Sequence, residues 1–197
     1  ITPVNDAPVN TVKSFATSQS STTGATTYLA LGGMSVTDVD AGSSNITVSF
    51  SVDSSYGTLA ARLPAGSALT TSTSSSNGVQ TLTLTGTLAN INAFLALTTG
   101  NSSTGNGLKL STTTGTHLVG TVDLTMVSSD GSLTDTDVST ITIAETSTAG
   151  RADPDINTLS EDTLSLSVAS GSGLLSNDQG TSRTVSAISF EGVSRTV

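Results

Sequence analysis

Apolar residues recur at every second position in several stretches of the chain, and each such stretch predicts a half-buried strand. The cleanest is Ile46, Val48, Phe50 and Val52, with Thr, Ser and Ser between them. From Val79 to Thr85, Leu82 and Leu84 fall on one face and threonines on the other. Leu118 to Val127 places Val122, Leu124 and Met126 inward, and Val138 to Ala144 does the same with Ile141 and Ile143. Weaker alternation predicts strands over Val9 to Phe15, Tyr28 to Val36 and Thr58 to Ala61. A bend is expected at Gly32-Gly33. Gln19 to Thr27 and Leu63 to Asn77 are polar and lack the pattern, so both are expected as loops.

One stretch changes period. Leu88, Ile91, Phe94 and Leu95, at i, i+3, i+6 and i+7, share a helical stripe, and Thr87 in front of them has the side chain of an N-cap. A single short helix over Leu88 to Leu97 is expected to cap the core as a crossover between strands. About seven short strands separated by turn signals then predict an all-β, Greek-key sandwich of immunoglobulin type.

The ends of that unit are marked by composition. Ile1 to Pro8 carries Pro3 and Pro8 around Asn5-Asp6, and proline fixes φ and removes a donor, which suits an extended linker. The sandwich occupies residues 9–145. Residues 146–155, rich in Ser, Thr, Ala, Gly and Asp, form a second linker. Beyond it, Thr163 to Val168 and Thr184 to Phe190 alternate again, but residues 156–197 hold too few strands to close a sandwich. They are expected to be a partial second β module, and the chain reads as an excerpt of a longer one.

Composition narrows the picture. Hydrophobic residues make up 35 % of the chain and aromatics 3 %, without tryptophan, so the core must be thin and aliphatic. That suits a two-layer sandwich better than a large pocketed enzyme. Serine and threonine supply about a third of the residues, as expected for solvent-facing strand positions. Six basic residues against fifteen acidic ones give a net charge of -9. Such a surface repels nucleic acid and anionic lipid. There are no cysteines, which leaves metal ions or repetition in place of disulfide staples.

The chemistry with the clearest residue pattern is VTDVDAG, Val36 to Gly42. Asp38 and Asp40, one residue apart at the end of a strand, project to the same side and would repel unless a hard cation sat between them; Ca²⁺ takes six to eight oxygen ligands of this kind. Asp130 precedes Gly131 in a further turn, where Asp-Gly is also a favoured pair without any metal. Asp135 and Asp137 repeat the spacing and are expected to be plainly solvated. His117, the only histidine, has no cysteine to join it and is expected at the surface. No G-x-S-x-G, H-E-x-x-H or phosphate-cradling loop occurs, and the chain is not expected to be an enzyme.

Four segments carry a family resemblance: VNDAP at Val4 to Pro8, VTDVDAGSSNITVSFSV at Val36 to Val52, LTGTLANINAFLAL at Leu84 to Leu97, and SSDGSLTDTDVSTITI at Ser128 to Ile143. Together they resemble the cadherin-like tandem repeats of very large RTX-type bacterial surface and secreted adhesins. The segment from Asp153, with LSEDT at Leu159 to Thr163 and LLSND at Leu174 to Asp178, is similar to the start of the related VCBS or tandem-95 repeats. The resemblance implies Ca²⁺ at module junctions. Carried over by position, the ligands would be Asn5 and Asp6 of the linker, Asp38 and Asp40 of the D-x-D loop, and Asp130 of the Asp-Gly turn, meeting at the N-terminal pole. A weaker second set would be Asp153, Asp155, Glu161, Asp162 and Asp178. Two departures stand out: Gln19 to Leu29 lacks the glutamate common early in such modules, and the second linker lacks NDAP.

The expected function is therefore a structural extender module of a calcium-dependent adhesin at the bacterial cell surface or secreted. Its partners would be neighbouring repeat modules of the same chain, with no nucleic acid and no membrane insertion, and the piece itself would be monomeric. Two competing readings are a sugar- or host-protein-binding module acting through the loop at Leu63 to Asn77, and an accessory module of a secreted enzyme. The scarcity of aromatic residues speaks against sugar stacking.

Overall fold

The computed structural model describes residues 4–20 and 22–145, together with the backbone of 187–190 and 193–196. The chain divides into two compact units, Ile1–Glu145 and Thr146–Val197. The first contains strands β1 (Val9–Thr11), β2 (Phe15–Gln19), β3 (Thr26–Ala30), β4 (Ser35–Thr37), β5 (Asn45–Asp53), β6 (Thr58–Arg62), β7 (Thr70–Ser76) and β8 (Val79–Thr87), helix α1 (Leu88–Leu95), and strands β9 (Gly107–Thr113), β10 (Gly120–Ser129) and β11 (Thr134–Glu145). The described part of the second is an antiparallel hairpin, β12 (Ala187–Phe190) with β13 (Val193–Thr196).

The first unit is an all-β sandwich with one short helix. A six-stranded sheet in the order β2-β11-β10-β5-β8-β7 packs on a three-stranded sheet, β3-β9-β6, and β1 pairs with β4 in a separate two-stranded ribbon. Every described pairing is antiparallel except β2 with β11, which run parallel. The alternation read from the sequence is what builds the core. Val48, Phe50, Leu82, Leu84, Leu124, Met126, Ile141 and Ile143 from the large sheet meet Leu59, Leu108 and Leu110 from the small one, all buried. On the outer face the hydroxyls pair across strands, Ser49 with Thr83 at 2.9 Å and Ser51 with Thr81 at 2.8 Å. Such cross-strand pairs use the serine and threonine content productively.

The helix spans Leu88–Leu95, two residues shorter than expected, with Thr87 accepting from the Asn90 N–H and Ile91, Phe94 and Leu95 buried. Other expectations need correction. Tyr28 to Val36 is not one strand, since Thr26–Ala30 belongs to the small sheet and Ser35–Thr37 to the ribbon. Val9 to Phe15 is not one strand: β1 ends at Thr11 and β2 starts at Phe15, extending to Gln19 inside the supposed loop. Leu63 to Asn77 is not one loop either, because Thr70–Ser76 forms the edge strand β7. All seven of its residues are exposed, so no apolar period marks it. The turn does: Asn77 and Gly78 both take positive φ, 50° and 79°, the conformation an Asn-Gly hairpin favours. Strand β9 is not among the expected strands: its apolar alternation is only two leucines long, and Lys109 between Leu108 and Leu110 is buried with them.

Lys109 is accommodated by its surroundings. Its ammonium donates to the carbonyls of Ser102 at 2.6 Å, Gly105 at 2.8 Å and Ser103 at 3.3 Å, which folds residues 102–105 over it. Burial, with the Arg62 charge adding to it, holds its pKa below the ordinary lysine value.

Candidate functional site

Strand direction decides which loops share a pole. β5 starts at Asn45, β10 ends at Ser129 and β4 ends at Thr37, so the 38–44 loop and the 130–133 turn lie at the same end of the sandwich. The linker 4–8, leading into β1, reaches that end too.

The 38–44 loop is built on Asp38. Its Oδ1 accepts the backbone N–H groups of Asp40 at 3.1 Å and Ala41 at 3.0 Å, an Asx-turn that folds the chain back on itself. Gly42 follows at φ 52°, and Ser44 closes the turn by donating to the Ala41 carbonyl at 2.9 Å. The 130–133 turn repeats the device: Asp130 Oδ1 accepts from the N–H groups of Ser132 at 2.6 Å and Leu133 at 2.7 Å, with Gly131 at φ 98°.

The linker joins the two loops. Asn5 Nδ2 donates to Asp130 Oδ2 at 2.6 Å, and the backbone N–H of Asp6 donates to Asp40 Oδ2 at 3.0 Å. Asn5, Asp6, Asp38, Asp40 and Asp130 are thus brought to one pole by contacts spanning 125 residues of chain.

The Asp38–Asp40 pair is electrostatically strained. Burial pushes the Asp38 pKa up. The Asp40 carboxyl adds to the rise, while the N–H groups of Asp40 and Ala41 pull the other way. The second oxygen of Asp38, Oδ2, is buried without a hydrogen-bond partner. A carboxylate oxygen shut away from water beside another carboxylate wants a proton or a cation. Asp130 differs, since its N–H donors and Asn5 hold its carboxyl below the ordinary range.

Among the described residues, no three acidic or imidazole side chains converge as a preformed metal cage. The pole instead presents the carboxylate pair Asp38–Asp40 beside a shallow hollow of about 370 Å³, lined by Asp6, Ala7, Val9, Thr37, Asp38 and Val39. Val39, between the two aspartates, is 83 % exposed. With its unpartnered oxygen, this donor set fits a hard cation whose shell is completed by linker oxygens, water or a neighbouring chain segment.

Asp153, Asp155, Glu161, Asp162 and Asp178 lie outside the described residues. Asp135 is not plainly solvated as expected: its Oδ2 accepts the backbone N–H of Asn10 at 2.7 Å. His117 is half-buried, and its Nδ1 accepts the N–H of Thr113 at 2.8 Å. Gln19, where no glutamate was found, is buried, with its amide on Thr112 Oγ1 and the His117 carbonyl.

No family model matches the chain, and no characterised protein matches it in sequence. Among solved structures, the cohesin module from the family 33 glycoside hydrolase of Clostridium perfringens ATCC13124 is similar over 73 % of this chain and 99 % of that one, at 13 % identity and a TM-score of 0.38. So loose a match carries no functional reading.

Proposed function

We propose that the chain is a structural extender module of a large calcium-dependent bacterial adhesin, at the cell surface or secreted, whose pole is stiffened by Ca²⁺. The observation that carries the reading is the buried, unpartnered Oδ2 of Asp38, in the loop whose Asp40 ties down the linker. The residues that would hold the ion are Asp38 and Asp40, with Asn5 and Asp6 supplying linker oxygens and Asp130 orienting Asn5. When bound, the cation would neutralise the carboxylate pair.

The remaining work is done by the chain. The Asx-turn on Asp38 fixes the direction of its free oxygen. Asp40 and Asp130 grip the linker through Asp6 and Asn5. A linker held at two points loses conformational freedom, and a preceding module attached to it would be held in line. The proposed partners are therefore neighbouring modules of the same chain. No helix among the described residues is long and apolar enough to cross a membrane.

Extracellular calcium modules bind with dissociation constants of roughly 10⁻⁴ to 10⁻³ M. At millimolar calcium the linkage stabilisation is then about 0.4 to 1.4 kcal/mol per site, small for one module and additive along an array. Calorimetric titration with Ca²⁺ beside Mg²⁺ tests the reading. Ca²⁺ should bind with heat and raise the melting temperature by a few degrees, and the Asp38→Asn, Asp40→Asn double variant should lose both effects. A double variant that still responds fully would overturn the site.

A further inference from the structure

Both halves of the candidate site hang from a ribbon too small to hold its own shape. β1 and β4 have three residues each and pair only with each other, and an isolated two-stranded pairing is marginal in water. Asp6 lies just upstream of β1, and Asp38 is the first residue after β4. The geometry of this ribbon therefore sets the spacing between the linker and the aspartate loop.

Side chains hold the ribbon on both edges. On the β4 edge, Asn92 of helix α1 accepts the N–H of Val36 through Oδ1 at 2.9 Å and donates from Nδ2 to the Val36 carbonyl at 2.8 Å. The amide thus occupies the place of a neighbouring strand's peptide group. On the β1 edge, Asp135 of β11 accepts the Asn10 N–H at 2.7 Å, while Asn10 Nδ2 donates to the Asp135 carbonyl at 3.1 Å. Asn10 and Val36 face each other in the ribbon's register, so both clamps grip the same rung from opposite sides. One reaches to the helix and the other to the large sheet.

Resting on the functional reading above, we infer that Asn92 and Asp135 are positioning residues for the cation site, fixing the β1–β4 ribbon so that Asp6 meets Asp40. Neither is a ligand. Both act through the backbone of one rung, which is two residues from Asp38 and four from Asp6. Helix α1 is accordingly a strut for the pole as well as a cover for the core.

The test compares Asn92→Ala, Asp135→Ala, the conservative Asp135→Asn, and Asn90→Ala as a control on the exposed side of the same helix. Two quantities are measured: calcium affinity by calorimetry, and hydrogen exchange of the Asp6 amide in cation-free protein. Asn92→Ala and Asp135→Ala should each weaken calcium binding by about tenfold, the scale of one or two net hydrogen bonds, and should speed exchange at Asp6 by a similar factor. Asp135→Asn keeps an acceptor for Asn10 and should stay within twofold of the parent, as should Asn90→Ala. Affinity and Asp6 protection unchanged in folded Asn92→Ala would overturn the inference. Should that variant fail to fold, equal behaviour of Asp135→Ala and Asp135→Asn would overturn it. If the parent chain takes up no calcium, the functional reading fails, while exchange at Asp6 still decides the role of the clamps.

Discussion

The side-chain amide of Asn5 donates to a carboxylate oxygen of Asp130 at 2.6 Å, joining the linker to a turn 125 residues away. The same carboxyl takes two backbone N–H groups on its other oxygen. Its pKa lies below the ordinary 3.8, with the Leu133 N–H contributing most and Asn5 next. A depressed pKa means the unfolded state takes up its proton first on acidification. The stability Asp130 contributes is therefore present above pH 3.8 and lost as pH falls through its lower folded value. Asn5→Ala should move the Asp130 titration, followed by carboxyl-carbon NMR, upward towards 3.8, and an unmoved midpoint would show the contact to be idle.

Asp38 has the opposite sign. Burial and the Asp40 carboxyl raise its pKa, so ionising it costs the folded state stability that protonation restores. Asp38→Asn should therefore stabilise the cation-free protein by about 1 kcal/mol, the scale of two like charges at short range in a largely aqueous medium. Adding calcium should narrow or reverse the order, because only the parent gains from it. Thermal melts of both proteins in chelator and in millimolar calcium would check this, and a less stable variant in chelator would contradict it.

Replacing Lys109 should be costly although it touches no candidate ligand. Lys109→Met keeps the apolar stem but leaves the carbonyls of Ser102, Ser103 and Gly105 without their donor. The loss should be about 2–3 kcal/mol, as for hydrogen bonds to a charged group, with faster proteolysis confined to the 98–106 loop. Denaturant melts should show the loss with calcium affinity unchanged.

Gln80 ties the two sheets together by accepting the Leu59 N–H at 2.6 Å and donating to the Leu59 carbonyl at 3.1 Å. Gln80→Ala removes both bonds and should cost about 1–2 kcal/mol. Gln80→Glu retains the acceptor only and should recover part of that in urea unfolding.

The parts of the fold that were legible in the sequence are those where burial alternates with exposure. Ile46 to Val52, Leu82 to Leu84 and Val122 to Met126 each face one core, so side-chain period and strand pleat coincide. β7 was hidden because both its faces are wet, and β9 because its apolar alternation is only two leucines long, Leu108 and Leu110, before it runs into Ser and Thr. The candidate site divides in the same way. Asp38 and Asp130 announce themselves through local turn chemistry, since each carboxylate accepts backbone N–H groups within three residues; Asp40 shows through its spacing to Asp38, although its own carboxylate holds Asp6, 34 residues away. Asn92 and Asp135 do not, because their partners lie 56 and 125 residues away. An asparagine on a helix looks the same whether it faces solvent or another strand's backbone.

The one parallel pairing among the described residues sets how this unit would resist a pull on its ends. β2 lies near the start of the sandwich and β11 at its end, side by side in the same direction over the register Phe15↔Ile141 to Gln19↔Glu145. A pull on the two ends drags these strands past each other lengthwise, so their hydrogen bonds resist in shear and must give way together. An antiparallel hairpin pulled at its open end would instead unzip one rung at a time. A stack of such units under tension would hold its length until a sharp threshold and then yield one unit after another.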